Sequence, residues 1–169
     1  MNHTLTRWFD ELEPGDGFET RGRTITEPDV VQFAALTGDM HPQHTDRHWA
    51  AEGRFGERIA HGMLVLSYAV ALVPFDPERV VALRGIDNVV FKRPVALGDT
   101  ISVGGAVREL TDLDPSHGLV ATDLRVRNHR GELVARGRLK AVWRRDPEVG
   151  DAALEPAVET AGSFVPIPL

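Results

Sequence analysis

Apolar residues recur along this chain with two different periods, and the change of period splits it into a helical first half and a strand-rich second half. Val30, Phe33, Ala34 and Thr37 follow the i, i+3, i+4, i+7 spacing of an amphipathic helix. Thr26 stands where an N-cap belongs, Pro28 falls in the first turn, and Glu27 and Asp29 lie near the positive end of the helix dipole. Gly38 is placed to stop that helix. Upstream, Phe18–Arg23 reads as one short strand after a Pro-Gly-Asp-Gly turn. Asp39–Arg58 is polar and irregular, with one short helix around Arg47–Glu52. Ile59–Val73 is a second helix with almost no polar face, which predicts burial on nearly all sides before Pro74 and Pro77 end it.

From Val80 onward the period falls to two. Strands are expected in Val80–Arg93, Thr100–Leu110, Leu119–Asn128 and Glu132–Arg144, with Asn128–Gly131 as the hairpin turn between the last two. The order is strand, helix, long loop, buried helix, then at least four antiparallel strands. A curled antiparallel sheet around one helix satisfies it, an α+β architecture.

Composition narrows the classes. At 169 residues the chain suits one domain with a single core. It has no cysteine, which removes disulfides, thiol catalysis and Cys-ligated metals, and which fits a cytoplasmic protein. The longest apolar run, Met63–Pro74, is well short of the about 20 residues that cross a bilayer, and no signal peptide is evident, so no membrane role is expected. A net charge of −6 argues against nucleic acid. That charge is concentrated from Asp146 onward, in a Pro-rich stretch with five acids and no Lys or Arg that ends FVPIPL. Residues 1–145 are close to neutral, which leaves room for a basic patch facing an anionic ligand.

Chemistry concentrates in two places. The first is Thr37-Gly-Asp-Met-His-Pro-Gln-His44, followed by Thr45, Asp46 and His48. A neutral imidazole is a good general base near pH 7, and a nearby carboxylate can orient it or share a water with it. Asp39 and His44 are five apart across a bend that contains a proline, which can aim both at one point. A solvated polar loop is the plain alternative. The second place is Ala60-His-Gly-Met-Leu64, where a helix starts. Free N–H groups there can hold an oxyanion, and Gly62 lets a carbonyl approach the backbone. The plain alternatives are close packing for Gly62 and an N-terminal cap for His61.

The stretch FAALTGDMHPQHTDRHWA, with IAHGML, VVFKRPV and LGDTISV after it, resembles the MaoC-like (R)-specific enoyl-CoA hydratases over about residues 18–145. The resemblance implies a hot-dog fold in residues 1–145, a curved sheet wrapped around a central helix, with 146–169 as an acidic tail. It implies reversible hydration of trans-2-enoyl thioesters, Asp39 and His44 as the catalytic pair, and Gly62 as backbone donor to the thioester oxygen. No cofactor is required, because the thioester is itself the electron sink. His41 stands where the family usually has Asn, a residue associated with organising this segment. His41, His61 and Ser67 are further substrate-contact candidates. The basic residues nearest the motifs, Arg54, Arg58, Arg84, Lys92 and Arg93, are candidates for the polyanionic coenzyme A, although an acyl carrier protein can present the same thioester. A homodimer with interfacial sites is also implied. Three other readings compete: a thioesterase on the same fold, a metal site drawn from His41, His44, His48, Asp39 and Asp46, and a non-catalytic acyl-binding subunit.

Overall fold

A computed structural model describes residues 4–147. Two single-turn 3-10 helices, Thr4–Thr6 and Phe9–Glu11, lead into β1 (Gly17–Glu19) and β2 (Arg23–Thr24). The helices are α1 (Glu27–Thr37), α2 (Pro42–Thr45), α3 (Arg47–Glu52) and α4 (Gly62–Leu72). Four long strands follow: β3 (Val80–Phe91), β4 (Thr100–Asp114), β5 (His117–Asn128) and β6 (Leu133–Arg144). They form one antiparallel sheet in the order β1-β4-β5-β6-β3, with β2 also on β4. Residues 148–169, which hold nearly all of the acidic tail, lie outside the described residues.

Alternation decides which face is buried. In β5, Val120, Thr122, Leu124 and Val126 point inward, whereas Asp123, Arg125 and Arg127 point outward. In β6, Leu139, Ala141 and Trp143 are buried, and the Trp143 Nε1–H donates to the Arg7 carbonyl at 2.9 Å. Leu64, Val65 and Ala69 of α4 join these side chains in one core. Each Val or Leu among them contributes roughly 1.5–3 kcal/mol when fully buried.

The chain departs from the expectations in four local ways. The expected strand Phe18–Arg23 is two, β1 and β2, separated by Thr20–Gly22. The hydroxyl of Thr37 turns back to the Phe33 carbonyl at 2.7 Å and the residue is exposed, so it does not extend the apolar face of α1. The second helix begins at Gly62, not Ile59, because the Ala60 N–H is bonded to the Val95 carbonyl and Ile59 bridges Ala96. That helix is also not buried all round: Met63, Ser67 and Ala71, at i, i+4 and i+8, form an exposed stripe. The caps match expectation. Asp29 accepts from both the N–H and the hydroxyl of Thr26, and Gly38 ends α1 in the left-handed region at φ 78°.

Candidate active site

Three short elements meet at the amino end of α4. The left-handed turn at Gly38 releases the chain from α1 and presents Asp39, whose Oδ1 accepts from the His41 N–H at 3.4 Å. Pro42 then starts α2 rather than interrupting a helix, since a proline costs nothing at the first position, where no intrahelical bond is made. His41 is the N-cap of α2, and its Nδ1 accepts from the Gln43 N–H at 3.1 Å. One turn on, the His44 Nδ1 lies 2.7 Å from the Ile59 carbonyl. A carbonyl only accepts, so Nδ1 carries the proton and the Nε2 lone pair is left free.

His61 does more than cap a helix. It occupies the N-cap position of α4, but its side chain makes no capping bond. The residue is 2% exposed, and its Nε2 donates to the Asp39 carbonyl at 3.0 Å. It also stacks on the His44 ring, with centroids 3.9 Å apart. A carboxylate oxygen of Asp39, a ring nitrogen of His44 and a ring nitrogen of His61 all lie within 4.8 Å of one another. Among the described residues this is the one such set close enough to share a cation, and it is not the set that spacing suggests. His41 is occupied in capping α2, and Asp46 accepts from the His48 and Trp49 N–H groups as the cap of α3.

Electrostatics favour a neutral His44. Burial pushes its pKa below the usual histidine range, the Ile59 carbonyl opposes this, His61 adds to the lowering, Asp39 opposes it and His41 adds to it. The ring is therefore held as a base at neutral pH. Beside it, the N–H of Gly62 has no acceptor among the described residues, and the helix dipole points its positive end there. A β-carbon on Gly62 would sit 3.0 Å from the Phe91 ring, so any side chain there must push that ring aside by a few tenths of an ångström.

A cavity of about 370 Å³ opens beside His44 and Gly62, lined with them by Val65, Phe91 and Val134 and by the cations Arg54, Lys92 and Arg93. Its walls are mainly apolar. Of the sequence candidates, His44, Gly62, Arg54, Lys92 and Arg93 line it. The others do not line it, Asp39 among them: its carboxylate is exposed and comes within 4.8 Å of a ring nitrogen of His44 from outside the lining. Arg58 is paired with Glu27 at 2.8 Å, and Ser67 donates to the Met63 carbonyl at 2.8 Å on the exposed stripe. His41 and His61 support the site from behind, and Arg84 is an exposed residue of β3. Sequence reasoning does not single out Phe55, Val65, Phe91 and Val134 as lining. Their apolar positions look like ordinary core, and only the topology brings them to one place. The arrangement can hold a water between a carboxylate and an imidazole lone pair, beside an anion-stabilising helix end and next to a largely apolar pocket that His44 and Gly62 line.

Residues 10–128 match the family model described as MaoC like domain. Protein MaoC of Klebsiella aerogenes is 44% identical over 102 residues, covering 60% of this chain and 30% of that protein. The 3-hydroxybutyryl-CoA dehydratase of Methylorubrum extorquens is 36% identical over 103 residues, covering 61% of this chain and 65% of that protein. These matches span from about a third to about two thirds of those relatives' lengths. Among solved structures, an R-hydratase of Pseudomonas aeruginosa superposes with a TM-score of 0.65 at 34% identity, covering 95% of each chain. A double hot-dog protein of Mycobacterium tuberculosis superposes at 0.73 with 19% identity, over 92% of this chain and 52% of that one, which places the fold as hot-dog.

Proposed function

The chain belongs to the MaoC-like domain family, and on that premise we propose that it hydrates trans-2-enoyl thioesters, reversibly, to (R)-3-hydroxyacyl thioesters in the cytoplasm. The observation that carries this reading is the convergence of the Asp39 carboxylate and the His44 ring within 4.8 Å, at the free amino end of α4. A water held between them gives up a proton as its oxygen attacks the β-carbon. Negative charge moves to the thioester oxygen, where the Gly62 N–H and the α4 dipole stabilise it. A proton from the Asp39–His44 pair then adds to the α-carbon, so the water is split across the double bond. The His61 N–H, bonded to the Asp39 carbonyl, fixes the loop that carries the carboxylate.

The pocket supports the substrate class. Its apolar walls suit an acyl chain, and Arg54, Lys92 and Arg93 at its rim suit the phosphates of coenzyme A. Among the described residues, no helix is long and apolar enough to cross a membrane. The reading includes a homodimer, because β3 is an edge strand, paired on one side only among the described residues, on which Val81 is 46% and Leu83 53% exposed. Light scattering of the purified chain tests this at twice the monomer mass.

The function is tested with crotonyl-CoA and longer enoyl-CoAs by following the conjugated-thioester absorbance, with free thiol assayed in parallel. Loss of absorbance without thiol release is the expected result. Thiol release would make the chain a thioesterase, and neither change would make it a non-catalytic acyl binder.

A further inference from the structure

The outer face of the sheet carries a second concentration of positive charge, away from the catalytic pocket. Arg125 of β5 and Arg136 of β6 are register partners, directly opposite each other on neighbouring strands. Both are exposed and alternate with the buried neighbours Leu124, Val126 and Ala135, so both guanidinium groups leave the sheet on its outer side. Like charges directly opposite, with β-carbons about 4.5–5.5 Å apart, are destabilising unless something negative lies between them. Among the described residues no carboxylate is paired with either. Asp123, which also lines the groove, is engaged by the Arg138 Nε–H at 2.7 Å, and the Glu19 carboxylate lies over Gly104, the β4 residue opposite Arg125, on the side away from Arg136. A groove of about 600 Å³ lies over the pair, edged by Asn88, Val90, Leu133 and Arg138. In a chain of net charge −6, two opposed guanidinium groups that line a groove and have no ion-pair partner among the described residues can receive an anion between them.

The position says which anion. The Lys92 N–H donates to the Val134 carbonyl at 2.8 Å, so Lys92 lies beside a residue only two along β6 from Arg136, about 7 Å of strand. The Arg93 guanidinium reaches the Leu133 carbonyl at 3.1 Å. The rim of the catalytic pocket and the arginine groove therefore meet at one end of the sheet, where β3 stops and β6 begins. A coenzyme A thioester has a pyrophosphate at the end of its pantetheine arm and, further on, a phosphomonoester at the ribose 3′ position. The monoester is dianionic and has three free oxygens, which suit two guanidinium forks better than a diester does. We propose that Arg125 and Arg136 form a subsite for the 3′-phosphate of coenzyme A, selecting a CoA thioester over one borne by a carrier protein. This rests on the acyl-thioester reading of the pocket and names the carrier that reading leaves open.

Calorimetry on the full chain with CoA and with 3′-dephospho-CoA tests the subsite. CoA should bind at least about tenfold more tightly, and Arg125→Gln with Arg136→Gln should abolish that preference. The same pair of changes should raise the KM for crotonyl-CoA about tenfold. Thermal melting should be unchanged or higher in the variant, since an uncompensated repulsion is removed. A parent that hydrates crotonyl-CoA yet binds CoA and 3′-dephospho-CoA equally overturns the subsite alone. So does a double variant that keeps the preference, or one that loses only inorganic phosphate. A parent that hydrates nothing and binds neither form overturns the function together with the subsite. If the variant instead loses affinity for a carrier-protein thioester and not for CoA, the groove is a protein-docking face and the proposal fails.

Discussion

Two regions of this molecule are held together in different ways. The sheet from β4 to β6 is a long backbone ladder, from Ile101↔Asn128 through Asp114↔His117 on one side and from His117↔Arg144 through Arg127↔Leu133 on the other, with register shifts only at Val107/Glu109, Asp112/Asp114 and Val126/Arg127. Any one side chain can change there without loss of register, because neighbouring bonds hold the same alignment. The segment from Gly38 to Gly62 has no such redundancy. His41 caps α2, Asp46 caps α3, His44 is bonded to Ile59, and His61 is bonded to Asp39, each through a side chain that meets backbone. This places reactive groups accurately on an irregular path, at the cost of making each bond indispensable. Substitutions in the segment should therefore act on turnover out of proportion to their effect on stability, and substitutions in the sheet the reverse.

The largest expected effects test that contrast at its centre. Asp39→Asn and His44→Gln should each lower kcat/KM by about 10²–10⁴-fold, with melting temperature little changed. The double variant should be only slightly worse than either single, because in the proposed mechanism the two groups act on one water. Multiplied losses would mean separate roles. The pH profile carries a sign as well. Because burial, with His61, lowers the His44 pKa, the basic form persists below the usual histidine range. The acid limb of kcat/KM attributed to His44 should accordingly fall below about pH 6.5. A limb above that value would contradict the burial argument.

Gly62→Val comes next, with an expected loss of about 10²–10³-fold in kcat/KM. The added atoms meet the Phe91 ring, already 3.0 Å from the position of a β-carbon, and crowd the N–H proposed to face the thioester oxygen. Gly62→Ala should cost less, roughly tenfold, because Phe91 is 46% exposed and its ring can shift. Equal activity of the valine variant and the parent would remove the oxyanion role from this backbone group.

The third effect falls on stability and belongs to the joint between the two regions. Asp29, at the start of α1, accepts from Thr26 and from the Tyr68 hydroxyl of α4 at 2.6 Å, with Arg23 stacked 3.9 Å over the Tyr68 ring. Burial alone would raise the Asp29 pKa, but hydrogen bonds from Thr26 and Tyr68 and the charge of Arg23 overcome it and bring the value to about 2, from 3.8. A depressed carboxyl pKa stabilises the fold above the unfolded value, and that stability is lost as pH falls through the folded one. Asp29→Asn should therefore cost on the order of 1–2 kcal/mol at pH 7 and flatten the acid limb of stability between about pH 4 and 2. Urea unfolding at pH 7 and at pH 2.5 measures both, while activity at pH 7 should stay within about twofold of the parent.

Which parts of this could be read from the sequence follows from the same contrast. The sheet strands, α1 with its caps, α3 and the hairpin at Asn128–Gly131 are written in local periodicity and turn chemistry, which survive without knowledge of the fold. The pairing of Asp39 with His44 is legible through motif resemblance and the short spacing. The role of His61 is not, because a buried histidine at a helix start looks like a cap until the Asp39 carbonyl is seen at 3.0 Å. Periodicity starts α4 three residues early, since Ile59 and Ala60 are apolar and nothing local shows that they bond to Ala96 and Val95. Arg58 joins the pocket cations by sequence proximity alone, and its partner Glu27 lies 31 residues away. What sequence misses is consistently what depends on an interaction between distant segments.

The smallest expected effect separates the two kinds of holding most sharply. His41 stands where relatives of the resembled family carry asparagine, and its work here is visible: the Nδ1 lone pair accepts from the Gln43 N–H at 3.1 Å and caps α2. An asparagine carbonyl can accept the same bond, and asparagine is among the best residues at an N-cap. Against this, the substitution removes the edge-to-face packing of the His41 and Trp49 rings, whose centroids are 5.4 Å apart, a term of about 0.5–1.5 kcal/mol. Asparagine keeps the cap and gives up the aromatic pairing, so His41→Asn should change stability by no more than about 1 kcal/mol. Turnover should stay within about threefold of the parent or rise, since the carbonyl that holds Gln43 also holds the turn that leads to His44. His41→Ala removes both contributions, and without the cap kcat/KM should fall by roughly tenfold as α2 frays and His44 loses its bond to Ile59. Comparing the two variants by steady-state kinetics with crotonyl-CoA decides the matter. Equal losses in both would show that the ring of His41, rather than its lone pair, is what the segment needs.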